Sequence, residues 1–369
     1  MSIVRLAACS ILLSCATHLA AADSVLLDPT GKQPRVAIAA DHSIHILYGA
    51  GTALRLRSST DGGATFSPAV TIATEPGLML GMRRGPQIAA SGDVLIAAAV
   101  AATTTNPGDS GRGDILAWKS SDRGATWTGP VTVNDRAASA REGLFSLAAG
   151  SKDTVWAVWL DARGGSGGEK GAQVRAALST DQGGEWSDSL AIYQAPAGSV
   201  CPCCQPQVAA DDHGDVAIMW RNLITGDRDM YLRMSTDHGG TFTPAEKLGT
   251  GTWPLNACPM DGGGLAIAND HVTAVWRRAG ALFATDLTRD HPDAGAEIPL
   301  GDGKNGAVAL SGATVIRVWQ NAQGIQLQRG NQPALALGTG TYPTVATTTD
   351  GSAVVAWDGG DGVRVAVVR

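Results

Sequence analysis

Cysteine is scarce in this chain, six among 369 residues. The two separated Cys-x-x-Cys pairs of a zinc knuckle are missing, which weighs against that kind of structural metal site. Basic residues number 28 against 34 acidic ones, for a net charge of −6, and they form no block. Nucleic-acid binders need a clustered cationic surface, so that class of partner is excluded. After residue 22 no apolar run is long enough to span a bilayer. No stretch carries the pattern of a long helix. Glycine is plentiful instead, 47 residues, and lies between many short β-type runs, the composition of an all-β protein.

The first residues carry a separate message. Arg5 precedes the apolar stretch LAACSILLSCATHLA, and Ala21-Ala22 follow it. A charged start, a short apolar middle and small residues at its end make 1–22 a secretory signal peptide, cleaved before Asp23. The alternative is a lipobox at LLSC, with Cys15 acylated and an N-terminal lipid anchor as the chain's link to a membrane. Both readings export the mature chain to a periplasm, to the cell surface or to the medium.

Internal similarity organises the rest. PRVAIAADHSIHILYG from 34, PQVAADDHGDVAIMWRN from 206 and PTVATTTDGSAVVAWDG from 343 align in column, and related segments begin at 86, 144, 264 and 307. Each is an apolar strand, a tight turn and a second strand, most of which end on an aromatic: Tyr48, Trp159, Trp220, Trp276, Trp319 and Trp357. The second copy has Val100 there. Third and fourth strands follow, so the unit is a four-stranded propeller blade. The reading is one propeller of seven blades over 23–369, with six as the alternative, where length alone suggests two domains. The final unit has three strands; SVLLD at 24–28 supplies the missing one, and pairing the two ends closes the ring and hides two edges.

Four units carry a further motif between third and fourth strands: STDGGATF from 59, SSDRGATW from 120, STDQGGEW from 179 and STDHGGTF from 235. The carboxylates of Asp61, Asp122, Asp181 and Asp237 are placed to accept backbone N–H bonds in these turns, and the closing aromatic to pack between strands. Glu185 replaces threonine in the third copy. The motif resembles the Asp-box, or bacterial neuraminidase repeat, of the sialidase superfamily. CPCC at 201–204 resembles, in addition, a group of exported sialidase-like bacterial proteins.

The resemblance implies a propeller fold and structural boxes. In sialidases it also implies three arginines for the substrate carboxylate, a Tyr–Glu nucleophile pair and an aspartic acid. Here Arg35 lies in PRVA without the following proline of the family's first arginine motif, and GAGT at 49–52 lacks the family's acid. Tyr342, in TYPT, is the candidate nucleophile. The chain therefore reads as a non-sialidase. If it is an enzyme acting on an anionic sugar, a glycosidase or lyase, the catalytic candidates are Arg35, Arg141, Glu142, Asp161 and Tyr342.

Blade connectivity places the loops entering each first strand on one face, opposite the boxes. Cys201, Cys203, Cys204 and Cys258 fall on that rim, as do Met260, Met79 and Met82, with Met230 nearby. His42, His213, His238 and His271 belong to the other face. Thiolate with thioether suits a soft ion, Cu(I) above all. The competing reading for four cysteines in an exported chain is disulfides, and one of these combined with a Cys–Met site is a third. Arg83, Arg84, Arg163, Arg221, Asp229 and Trp253 share the rim and are the candidate ligand-binding groups. The leading expectation is a propeller binding a small ligand or metal ion at this Cys/Met/Arg face. The alternatives are the sugar-acting enzyme and an envelope scaffold whose partner is another protein and whose cysteines are bridged.

Overall fold

The computed structural model describes residues 23–102, 112–163, 171–196, 198–289 and 295–369. The expected signal peptide and the Cys15 lipobox lie outside the described residues. Within them the regular structure is all β, and no helix is long and apolar enough to cross a membrane.

The repeats fold as antiparallel four-stranded groups. The first consists of Lys32–Ile38, Ile44–Ala50, Ala53–Ser59 and Val70–Thr74, paired in that order. The same order recurs within 87–132, 140–194, 207–247, 264–302 and 304–338. The seventh group takes Thr341–Thr347, Ala353–Asp358 and Val363–Val368, and Val25–Asp28 joins it as the outer strand, Val25 opposite Val365. The second and third groups also touch through Ala140 and Arg141 against Gly113 and Arg112.

Each group's first strand contacts the first strand of the next, and Thr341–Thr347 contacts Lys32–Ile38. Between successive groups lies a buried cluster. Trp220 packs with Leu160 and Val174 between the third and fourth, and Ile46 and Tyr48 pack with Val354 and Val365 between the first and seventh. These cores explain the aromatic column. A second strand covered on both faces takes large apolar side chains at its end, and Tyr48, Trp159, Trp220 and Trp357 are fully buried. Val100 fills the equivalent place in the second group and is equally buried.

The box turns fold as their chemistry dictates. Ser59 donates to Asp61 Oδ1 at 2.7 Å and accepts from Gly63 N, while Thr65 donates to Asp61 twice, through backbone and hydroxyl. The copies at Asp122 and Asp237 repeat this set. Glu185 offers Asp181 only its backbone N–H. These bonds, led by the threonine side chain at Asp61 and Asp122 and the threonine backbone at Asp237, pull each carboxyl down to about 2. Each box also seats the glycine two residues after its aspartate on the preceding group. At Gly239, with φ +84°, a Cβ would come within 2.3 Å of the Trp156 ring.

The register separates two ends. Ile38 pairs with Ile44, which pairs with Ser59, so the boxes lie at the end where each first strand finishes. The segments holding the cysteines and rim arginines enter the first strands at the other end.

Candidate functional site

An irregularity in one sheet gathers the cysteines. Ser199–Val200 and Gln207–Ala210 both pair with Val216–Leu223, Val200 opposite Asn222 and Gln207 opposite Met219. Six residues on one side thus face two on the other, and the surplus is thrown out as a tight loop. Cys201 still holds on to the strand, its N–H donating to Arg221 O at 2.8 Å. The loop folds its sulfurs inward. Cys201 Sγ lies 3.2 Å from Cys204 Sγ and 3.7 Å from Cys203 Sγ, and all three sulfurs lie within 4.8 Å of one another.

All three side chains are buried, and Met260 packs against them. Gly262 allows this approach, because a Cβ there would meet Gln205 O at 2.0 Å. The neighbourhood is cationic: the buried Arg228 donates from Nη1 to Cys201 Sγ at 3.1 Å and from Nε to Leu255 O. Hydrogen bonds from Cys203 and Cys204, with Arg228 beside it, hold the Cys201 thiol well below its ordinary range despite burial. Cys203 is pushed up, first by its hydrogen bond with Cys201, and Cys204 is pushed up, first by burial. Cys201 is therefore the sulfur of the three best placed to carry negative charge.

None of the four described cysteines is bonded to another. A sulfur separation of 3.2 Å is well beyond the ~2.05 Å of a disulfide, so the bridged alternative is not realised here. Cys258 is exposed and stands outside the sulfur group. Met79 packs in the core between the second and third groups, Met82 is 41% exposed, and Met230 is buried between the fourth and fifth. Of the sulfurs expected to converge, the structure brings together those of Cys201, Cys203 and Cys204, with the Met260 side chain packed against them.

The rim charges divide. Arg221 is a structural residue: its guanidinium donates to the carbonyls of Arg228, Asp261 and Arg277 and lies over the Trp253 ring at 5.2 Å. Both it and Trp253 are buried. Asp229 accepts from Trp253 N and pairs with Lys247. Asp161 is fully buried, accepting from Trp159 Nε1 and Arg163, and Arg163 also pairs with Asp135. A carboxylate so enclosed is unsuited to proton transfer with a substrate. Glu142 is paired with Arg84. Arg141 keeps a buried Nε without a hydrogen-bond partner.

Arg35, Arg83 and Tyr342 converge on the entrance of the space enclosed by the first strands. With Gln33 and Gly85 they line a cavity of about 10 Å³, room for about one water. Arg35 Nη2 and Arg83 Nε donate to the same oxygen, Gln205 Oε1, at 3.3 and 3.2 Å. Arg83 also donates to Gly263 O and lies 3.6 Å from Asp261 Oδ1. Asp261 itself is held by Gly263 N and Asn305 N. Sequence reading missed Gln205, Asp261 and the thiolate partner role of Arg228. The position of Gln205, directly after Cys204, was the available signal.

No family profile matches the sequence, and no curated protein sequence matches it. Solved structures match in fold. A Hadza microbial sialidase aligns over 92% of this chain and 66% of its own, with TM-score 0.54 and 13% identity. The NanB sialidase of Streptococcus pneumoniae aligns over 92% and 68%, with TM-score 0.55 and 10% identity. An α-L-arabinofuranosidase from Fusarium graminearum aligns over 93% and 94%, with TM-score 0.52 and 16% identity. The chain thus has a sialidase-like β-propeller fold and spans about two thirds of those two sialidases.

Proposed function

We propose that this chain is an exported, single-domain propeller of seven blades that binds a soft metal ion, Cu(I) by preference, through Cys201, Cys203 and Cys204 with Met260 as thioether ligand. The blade count rests on the seven four-stranded groups and the ring closure on the pairing of Val25–Asp28 with Val363–Val368. Export rests on the signal-peptide pattern of 1–22.

One observation carries the metal reading: three buried sulfurs within 4.8 Å, one favoured as thiolate beside Arg228. Three sulfurs around one ion at ~2.3 Å each stand about 4 Å apart, close to the spacing in the loop. Three cysteine sulfurs suit zinc as well as Cu(I), and the thioether of Met260, which is not a zinc ligand, favours Cu(I). Binding releases the Cys203 and Cys204 protons, and Arg228 offsets the thiolate charge.

The test is an anaerobic Cu(I) titration against a chromophoric chelator. One ion per chain is expected, with affinity down about 100-fold in Cys204→Ser and about 10-fold in Met260→Ala. Unchanged affinity in both variants removes the metal reading.

The fold shared with sugar-acting enzymes favours a second reading, a glycosidase or lyase on an anionic sugar, with Arg141 holding the carboxylate and Glu142 as acid or base. Turnover of a fluorogenic sialoside or uronide panel, lost in Arg141→Ala, would establish it in place of the first.

A further inference from the structure

The small cavity beside Arg35 and Arg83 is walled by hydrogen-bond donors with nothing to donate to. Gln33 is buried, and Gly81 N donates to its Oε1 at 2.7 Å, which fixes Nε2 as the other end of the amide. That Nε2 has no partner. Arg83, whose side chain is 4% exposed, likewise keeps Nη1 without a hydrogen-bond partner. Both residues line the cavity, together with Arg35 and Tyr342. The guanidiniums share a single side-chain acceptor. Gln205 donates from Nε2 to Phe145 O at 2.6 Å, so its amide is also fixed, and its Oε1 serves both arginines.

Charge points the same way. Arg83 has Asp261 at 3.6 Å, a carboxylate already accepting from Gly263 N and Asn305 N. No carboxylate compensates Arg35: burial, then the charge of Arg83, push it down to about 9. A water molecule in the cavity would satisfy the donors and leave the surplus positive charge; a monoanion removes both deficits. At about 10 Å³ the space admits one atom-sized ion and excludes a sugar or any larger acid. Gln33 and Arg83 belong to the first and second groups, and Gln205 and Asp261 to segments entering the fourth and fifth. A negative charge placed here therefore acts across the ring.

We propose that this cavity binds a single dehydrated halide, chloride, held by Gln33 Nε2, Arg83 Nη1 and the charge of Arg35, and that the ion stabilises the ring where its first strands begin. The site is separate from the sulfur cluster and too small to be the sugar site of the alternative reading.

Thermal unfolding at fixed ionic strength, with chloride exchanged for gluconate, tests it, since gluconate is too large to enter. Tm should rise about 2 °C for each tenfold increase in chloride above its dissociation constant, and bromide should substitute for chloride. Gln33→Glu puts a carboxylate in the halide's place, so its Tm should no longer depend on chloride and should match or exceed the parent's in gluconate. Arg35→Gln should weaken chloride binding about 10-fold, read from the broadening of the chloride NMR line in protein whose melting curve shows it folded. Cys204→Ser should respond to chloride as the parent does, which keeps this site apart from the metal reading. Crystals grown in bromide should show an anomalous peak between Gln33 and Arg83. Equal Tm in chloride and gluconate, or a cavity without that peak, would mean that it holds water only and overturns the proposal. A chloride response retained in full by Gln33→Glu would place the ion elsewhere and overturns it too.

Discussion

Arg228 and Cys201, 27 residues apart in the chain, meet at 3.1 Å, guanidinium to sulfur, in a place where both are buried. The contact adds to the cysteine hydrogen bonds that hold the Cys201 thiol below its ordinary range. Arg228→Gln should move the thiolate absorbance of the loop to higher pH and weaken Cu(I) binding, and Arg228→Lys should restore part of both. An unshifted titration in Arg228→Gln would show that the neighbouring thiols alone set the charge.

His45 gives stability a pH dependence of its own. It sits between Ser43 Oγ and Ser58 Oγ, and burial lowers it from 6.5 to about 4, opposed by Asp41. The unfolded chain takes up the proton first, so the contribution is complete above 6.5 and is lost as pH falls toward 4. At ~1.36 kcal/mol per unit the loss totals about 3 kcal/mol. Denaturant unfolding at about pH 7 and about pH 5 should show it, and His45→Gln should flatten the slope. The box carboxylates add their own loss only at lower pH, between 3.8 and about 2.

The third box is the incomplete one. Asp181 lacks the hydroxyl bond that Thr65, Thr126 and Thr241 give their partners. Glu185→Thr should supply it and raise stability by about 0.5 kcal/mol, seen as a small increase in Tm. A lower Tm would mean that Glu185 has a compensating role.

Ring closure is tested at Asp28. Its Oδ2 accepts from the buried Tyr48 hydroxyl at 3.0 Å and from Arg55 at 3.1 Å, tying the outer strand of the seventh sheet to the first. Asp28→Ala should cost about 2 kcal/mol by leaving the tyrosine unpartnered. The loss should appear in the cooperative unfolding of the whole domain. Fraying confined to the N-terminus would argue against closure.

The fold was legible because its signals are periodic. Alternating strands, an aromatic closing each second strand and four copies of one turn recur at blade spacing, so each copy supports the others. The site was legible only in part. CPCC announced itself by composition, but its convergence depends on a mismatch of six residues against two that no local pattern encodes. Arg221 and Trp253 read as surface groups because arginine is rarely buried; three carbonyls and an indole face account for the exception. Cys258 and Met82 share the rim in sequence order, yet neither enters the sulfur group, since membership of a face fixes no distance across it.

The strand Val25–Asp28 also bears on how the molecule is made. Its partner residues, beginning opposite Val25 at Val365, emerge from the ribosome some 340 residues later. Through most of synthesis Val25 and Leu26, 47% and 41% exposed even when paired, belong to a segment without a mate. Such a distant pairing raises the contact order of the fold, which slows folding.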